Sequence, residues 1–208
     1  MLEKLAAAHS ELQTCLQDIQ GAFQILESSF RKGGKLLVCG NGGSAADSEH
    51  IVGELMKGFR LPRALPEAFR RNLIAAFPED GNYLAGHLQG ALPAISLTGP
   101  SALVSAFAND VAADMVFAQL VYGYGVQGDV LLAISTSGNS KNVIHALQVG
   151  RSLGLHTIGL TGRAGGVMKA FCEITICAPA DTTDEIQEKH VIIYHTLCAL
   201  LEEAFFSP

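Results

Sequence analysis

Three clusters of side chains have the types and spacing to do chemistry. Cys39-Gly40-Asn41-Gly42-Gly43-Ser44 follows the apolar run Lys35-Leu36-Leu37-Val38 and precedes residues that favour helix, from Ala45 to Met56. A buried strand, a glycine-rich turn and a helix start make a phosphate cradle, because the backbone comes close and the first helical N–H groups point outward. No lysine follows as in a P-loop, and the glycine spacing is not that of a dinucleotide fingerprint. Alone, the turn therefore reads first as a plain strand-to-helix connection. The same grammar recurs at Ser135-Thr136-Ser137-Gly138-Asn139-Ser140, after the run Asp129 to Ile134 and before a helix from about Asn142 to Ser152. One hydroxyl satisfies an N-cap; four in six residues exceed that need, and each can donate to a phosphate oxygen. The third cluster is His50 and Glu54, four apart and hence on one helix face. That spacing suits a metal pair, a base with an orienting partner, or a solvated surface pair.

The elements that must position these groups follow from periodicity. Leu5, Leu12, Leu16, Ile19, Phe23, Leu26 and Phe30 recur at helical spacing, predicting one long helix from Leu2 to Arg31 that ends at Gly33-Gly34. Its stripe suits a core or a subunit interface. Short apolar runs at 35–39, 94–98, 129–134, 156–161 and 174–177 alternate with helical patterns. Five such strands predict an α/β fold, a parallel sheet with helices on both faces, whose ligands bind at the carboxyl ends of the strands. The last helix, about Asp184 to Phe205, opens with a capping-box pattern, Thr182-x-x-Glu185, and carries Gln187, Val191 and His195 on one ridge. A lone histidine in such a stripe is as well explained by core packing as by catalysis. The segment from Phe59 to Leu92 has no clear strand. It holds Arg60, Arg63, Arg70 and Arg71, with Leu65, Phe69, Leu73 and Ile74 at helical spacing, a turn at Pro78-Glu79-Asp80-Gly81, and a short helix that places His87. It reads either as a solvated basic helix or as a lid over a ligand.

The 208 residues suffice for one domain with a sizeable core. Hydrophobic residues reach 49% and charged ones only 16%, which suits much buried or subunit-covered surface. A net charge of −6 disfavours nucleic acid as a partner. An anionic ligand must then be held by local dipoles and hydroxyls. Five cysteines without a Cys-x-x-Cys read as reduced core thiols. Met1-Leu2-Glu3-Lys4 lacks the pattern of a signal peptide, and no apolar stretch reads as long enough to span a bilayer. The expectation is a cytoplasmic protein without a membrane partner.

Taken together, Cys-Gly-Asn-Gly-Gly-Ser and Ile-Ser-Thr-Ser-Gly-Asn-Ser resemble the sugar isomerase (SIS) family. The likeness is greatest to its phosphoheptose isomerases, which act on sedoheptulose 7-phosphate in heptose biosynthesis. It runs from about Leu16 to Phe205, interrupted between about Phe59 and Leu92. It implies a single SIS domain over 1–208 with a flavodoxin-like sheet, an N-terminal helix (1–31), an insertion (59–92) and a C-terminal helix (184–205).

The resemblance also implies roles. Glu54 would be the base and His195 the acid of an aldose–ketose isomerisation through a cis-enediol. Asn41, Gly42, Gly43, Ser44, Ser135, Thr136, Ser137 and Ser140 would hold the sugar and its phosphate, with Arg60 as the phosphate-side arginine. Asn109-Asp110, Asp184 and Gln187 match family positions, and Asp114 falls where the family usually carries an acid. His50, Glu54, Gln187 and His195 make a two-histidine, one-carboxylate, one-amide zinc set like that of some members, although glutamine is a poor zinc ligand and spacing alone does not decide it. No nucleotide cofactor is expected, and the family implies a homotetramer. The rival readings are a non-catalytic SIS module like the replication-initiation regulator, a phosphosugar-sensing or lyase domain, and an isomerase for another ketose phosphate. The non-catalytic relatives lack the glutamate and final histidine that Glu54 and His195 supply, and the chain carries no additional DNA-binding domain.

Overall fold

The computed structural model describes residues 2–207. Its centre is a five-stranded, wholly parallel sheet: β1 (Leu36–Gly40), β2 (Ala94–Ser96), β3 (Val130–Ile134), β4 (His156–Gly162) and β5 (Ile174–Ala178), in spatial order β2-β1-β3-β4-β5. Every residue of β1 and β3 is buried, as expected for strands covered on both faces. Alternate side chains feed two cores. Leu36, Val38, Val130, Leu132 and Ile134 face one; Leu37, Cys39, Leu131 and Ala133 face the other.

The first core is covered by α1 (Leu2–Ala8), α2 (Leu16–Arg31), α3 (Gly43–Met56) and, later in the chain, by the last helix. Two helices, α4 (Glu67–Ala76) and α5 (Gly81–His87), follow α3; beyond β2 come α6 (Ser101–Phe107) and α7 (Val116–Tyr124). Helix α8 (Lys141–Ser152) joins α7 over the second core, and α9 (Thr183–Phe206), 24 residues long, closes the first.

The predicted N-terminal rod is broken. His9, with φ −136° and ψ 71°, separates α1 from a tight 3-10 turn at Ser10–Cys15 that leads into α2. Leu12 stays fully buried through the break, so the apolar stripe continues where the helix does not. The stripe is core. At the end of α2 Gly33 adopts φ +82°, and the N–H of Gly34 reaches back to the Ser29 carbonyl.

Two further expectations are corrected. Thr182 stands at the N-cap of α9, yet its hydroxyl makes no cap bond, so the capping box does not form. The stretch Ser101–Tyr124 is long and apolar enough by length and composition to cross a bilayer. This corrects the expectation that no apolar stretch is long enough to span a bilayer; Asn109, Asp110 and Asp114 punctuate the stretch. In the fold it turns twice, through Ala108–Ala112 and Ala113–Met115, and most of it is not buried within the chain. Segment 59–92 folds as the hairpin α4–α5, packed chiefly on itself, with Phe69, Phe77, Tyr83 and Leu88 exposed.

Candidate active site

Strand order 2-1-3 reverses direction between β1 and β3, and a doubly wound sheet opens its ligand crevice at that point, beyond the carboxyl ends of the strands. Both polar loops emerge there. Asn41, after β1, and Asn142, in the first turn of α8, exchange two amide hydrogen bonds of 2.9 Å each, which ties the loops together. Gly42 takes φ +56°, so a side chain there would be strained. Gly43 opens α3, and a Cβ on it would collide with the carboxamide of Gln187. Gln187 on α9 is thus laid against the cradle, 144 residues away in the chain.

The hydroxyl loop is held open rather than spent on its own helix. Ser140 sits at the N-cap of α8 without a side-chain cap bond; its Oγ lies 3.1 Å from Ser135 Oγ instead. Ser137 Oγ accepts the Asn139 N–H at 3.2 Å and is exposed, and the Thr136 carbonyl receives the Gly162 N–H. Ser44 is buried in the first turn of α3. Hydroxyls and the free N–H groups of α8 therefore share one rim, the arrangement an anionic oxygen needs.

A second cluster is built from α3 and α9. His50 Nε2 lies 3.2 Å from Glu54 Oε1 and 3.4 Å from His195 Nε2. The other ring nitrogen of His50 meets Tyr194 Oη at 3.0 Å, and that hydroxyl donates to Asp47 Oδ1 at 3.3 Å. Tyr194 is buried, and burial together with the Asp47 carboxylate raises its pKa, so the phenol keeps its proton. Burial likewise raises Asp47. Desolvation first, and then the neighbouring His50, lower the pKa of His195, leaving a neutral imidazole at pH 7. Its ring leans on Phe59, centroids 5.4 Å apart. Glu54 Oε2 and Asp47 Oδ2 are buried without a hydrogen-bond partner.

Behind the cluster, Glu202 on α9 accepts the N–H groups of Phe59, Arg60 and Leu61 and the Arg63 guanidinium, at 2.7–3.0 Å. Burial pushes its carboxyl up, but these donors outweigh it and hold the pKa below the usual range. Arg63, fully buried, also donates to the carbonyls of Glu54 and Leu55 and so closes the end of α3. Arg60 is exposed, stacked over Phe59 at 5.0 Å, and lines a cavity of about 420 Å³ with His195, Lys4 and His9.

The fold therefore brings His50, Glu54 and His195 together, and Gln187 to the cradle. Asp184 is exposed in the first turn of α9, its carboxyl held below the ordinary value by the Thr182 hydroxyl and nearby backbone N–H groups. Asn109 and Asp110 lie exposed in the turn after α6, where the Asn109 amide donates to Asp110 at 2.8 Å; neither bonds to the cluster or the loops. Sequence reasoning missed Asp47, Tyr194, Arg63, Glu202 and Asn142. Only Asp47, one turn before His50, left a local signal.

Among the described residues no group of three or more His, Cys, Asp or Glu forms a ready-made metal site. The two edges at His50 Nε2, 3.2 and 3.4 Å, nonetheless match the separation of about 3.3 Å between donors on a tetrahedral zinc with bonds of about 2.0–2.1 Å. With an unpartnered Glu54 oxygen beside them, these donors fit such an ion.

A flavodoxin-like sheet with a hydroxyl-lined rim at the carboxyl ends of its strands, together with a His–Glu–His cluster between α3 and α9, defines a sugar-phosphate-handling class. Comparison with known proteins bears this out. The SIS domain family matches residues 2–70 and 73–162. A phosphoheptose isomerase from Aliarcobacter butzleri is 37% identical over 200 residues, covering 94% of this chain and 92% of the relative. Another, from Pelobacter propionicus, is 41% identical over 186 residues, 89% and 84%. The solved phosphoheptose isomerase GmhA of Neisseria gonorrhoeae superposes with a TM-score of 0.75 at 31% identity, covering 97% and 94%; that of Francisella tularensis gives 0.74 at 30%, with the same coverage. The chain belongs to the SIS domain family and, within it, to the phosphosugar isomerases.

Proposed function

We propose that this isomerase interconverts sedoheptulose 7-phosphate and its aldose partner through a cis-enediol. The observation that carries the reading is the meeting of Glu54, His50 and His195 on α3 and α9, in a chain that also carries the hydroxyl rim. The phosphate is held by Ser44, Ser135, Ser137, Ser140 and the N–H groups at the start of α8, while Asn41, Thr136 and Gln187 border the sugar. Glu54 takes the proton from C1 and returns it to C2. His195, neutral but able to donate one N–H and accept at its other nitrogen, moves the matching proton between O2 and O1. One carbon-bound proton leaves and one is restored, so no redox partner is needed. His50, Glu54, Gln187 and His195 would hold a zinc ion, which when bound supplies Lewis-acid polarisation of the sugar oxygens.

We further read the chain as one SIS domain that assembles as a homotetramer in the cytoplasm. Exposed Leu103, Val111, Met115, Tyr122 and Val126 support association with further copies, and five free cysteines fit a reducing compartment. The non-catalytic reading loses ground because Glu54 and His195 are both present and adjacent to His50. The test is a panel of ketose phosphates followed for aldose formation. Sedoheptulose 7-phosphate should give the highest kcat/KM; a higher value for another ketose phosphate would reassign the substrate, and none for any would remove the activity.

A further inference from the structure

Helix α3 ends without the usual left-handed turn: its C-cap, Lys57, is extended at φ −141° and ψ 175°. The carbonyls of its last turn must find donors elsewhere. The Arg63 guanidinium supplies them, to Glu54 at 2.8 Å and to Leu55 at 2.6 Å, with the Leu92 N–H as a second donor to Leu55. Its third arm, Nε, goes to Glu202 Oε1 at 2.8 Å. Oε1 also accepts the Phe59 N–H, and Oε2 accepts those of Arg60 and Leu61. Both charged side chains are buried, and a buried pair is by itself weak evidence for stability. What this one fixes is geometry. Its bonds end on the turn of α3 that carries Glu54, and on the stretch whose Phe59 ring leans on His195 and whose Arg60 lines the cavity beside it. Glu202 lies two turns beyond His195 on the same face of α9, so the grip and the imidazole share one support.

We propose that Arg63 and Glu202 are positioning residues for the isomerisation: their buried pair clamps the last turn of α3 and residues 59–61 to α9, and so fixes where Glu54 and Phe59 stand relative to His195. Proton transfer between carbon and a carboxylate tolerates little misplacement, about 1 Å costing on the order of 100-fold. No other side chain bonds to the Glu54 carbonyl, so the clamp has no substitute at that point.

The inference rests on Glu54 and His195 acting on the sugar, and the experiments keep the two apart. Arg63→Lys keeps the charge, but an ammonium cannot reach two carbonyls and a carboxylate in the fork geometry of a guanidinium. Assayed well below its melting temperature, this variant should lose about 10–100-fold in kcat with KM for the sugar phosphate little changed. Glu202→Gln, which keeps the shape, should behave alike. Crystal structures should show the Phe59 and His195 rings drawn apart from the parental 5.4 Å. A purely structural staple predicts a lower melting temperature with parental kcat per folded molecule, and that result overturns the proposal. If neither variant folds, Phe59→Leu decides, because it leaves every bond of the clamp in place: a lowered kcat at unchanged KM supports the positioning, and parental kcat overturns it. If Glu54→Gln turns over like the parent, the catalytic reading fails separately. The ring separation in Arg63→Lys then still decides the clamp, which falls if 5.4 Å is retained.

Discussion

Glu54 is the proposed base, and its two oxygens stand in different settings. Oε1 faces His50, while Oε2 is buried without a hydrogen bond, 3.8 Å from Lys57 Nζ. Glu54→Gln keeps the shape but cannot accept a proton at neutral pH. Isomerisation should be abolished while calorimetry shows sugar-phosphate binding within a few-fold of the parent; near-parental turnover would remove Glu54 as the base. His195→Asn should cost about 10²–10⁴ in kcat, read in the same assay. His50 and Glu54 were legible because one helix turn separates them. Tyr194 was not: it reads as another large apolar residue in the α9 stripe. Its partners lie 144 and 147 positions away, a proximity that only the packing of α9 on α3 creates.

Among the elements, the start of α8 separates two explanations for a hydroxyl-rich loop. Ser140 makes no cap bond, so replacing Ser135, Ser137 and Ser140 with Ala should cost little stability. Ligand affinity should drop far more, because each hydroxyl bond to a charged oxygen is worth about 1.5–3 kcal/mol. Thermal melting beside ligand titration distinguishes the outcomes. The start of α3 makes a parallel case. Gly43→Ala leaves a helical position helical but drives a methyl into the Gln187 carboxamide. Ligand affinity should fall while helix content, followed by circular dichroism, is retained. The strands and α2, α3, α7 and α8 were legible from periodicity. The break at His9 was not, because a 3-10 turn keeps the burial of Leu12 and Cys15 that a continuous helix would also give.

At the level of the whole molecule, one buried group sets a pH limit. His190 on α9 is fully buried with neither ring nitrogen partnered, and burial lowers its pKa to about 4. An unfolded histidine titrates near 6.5. Between these values the unfolded chain binds more protons, so the stability due to neutral His190 is complete above about pH 6.5 and is lost as pH falls toward 4. The loss is about 3 kcal/mol, roughly 6–12 °C in Tm for a chain of this size. A His190→Leu protein should show a correspondingly flatter Tm between pH 7.5 and 4.5. Asp47, whose raised pKa works in the opposite sense, is common to both proteins and cancels in the comparison. Assembly belongs to the same scale: light scattering should give four times the mass of the chain, and Tyr122→Glu with Val126→Glu should reduce it.

The α4–α5 hairpin is pinched at its base. The Gly90 N–H bonds to the Arg63 carbonyl at 2.9 Å, and the Gly58 N–H bonds to the Gln89 side chain at 2.7 Å. Helix α4 buries no residue, and α5 buries only Gly81. The chain therefore leaves the body and returns to nearly the same place, so the excursion is modular. Removing residues 65–88 and closing the gap with two glycines should leave a protein that folds and melts within a few degrees of the parent, because Arg63 and Glu202 stay in place beneath the cut. The same site offers a port: another small domain whose ends lie close together could be spliced there without disturbing either core.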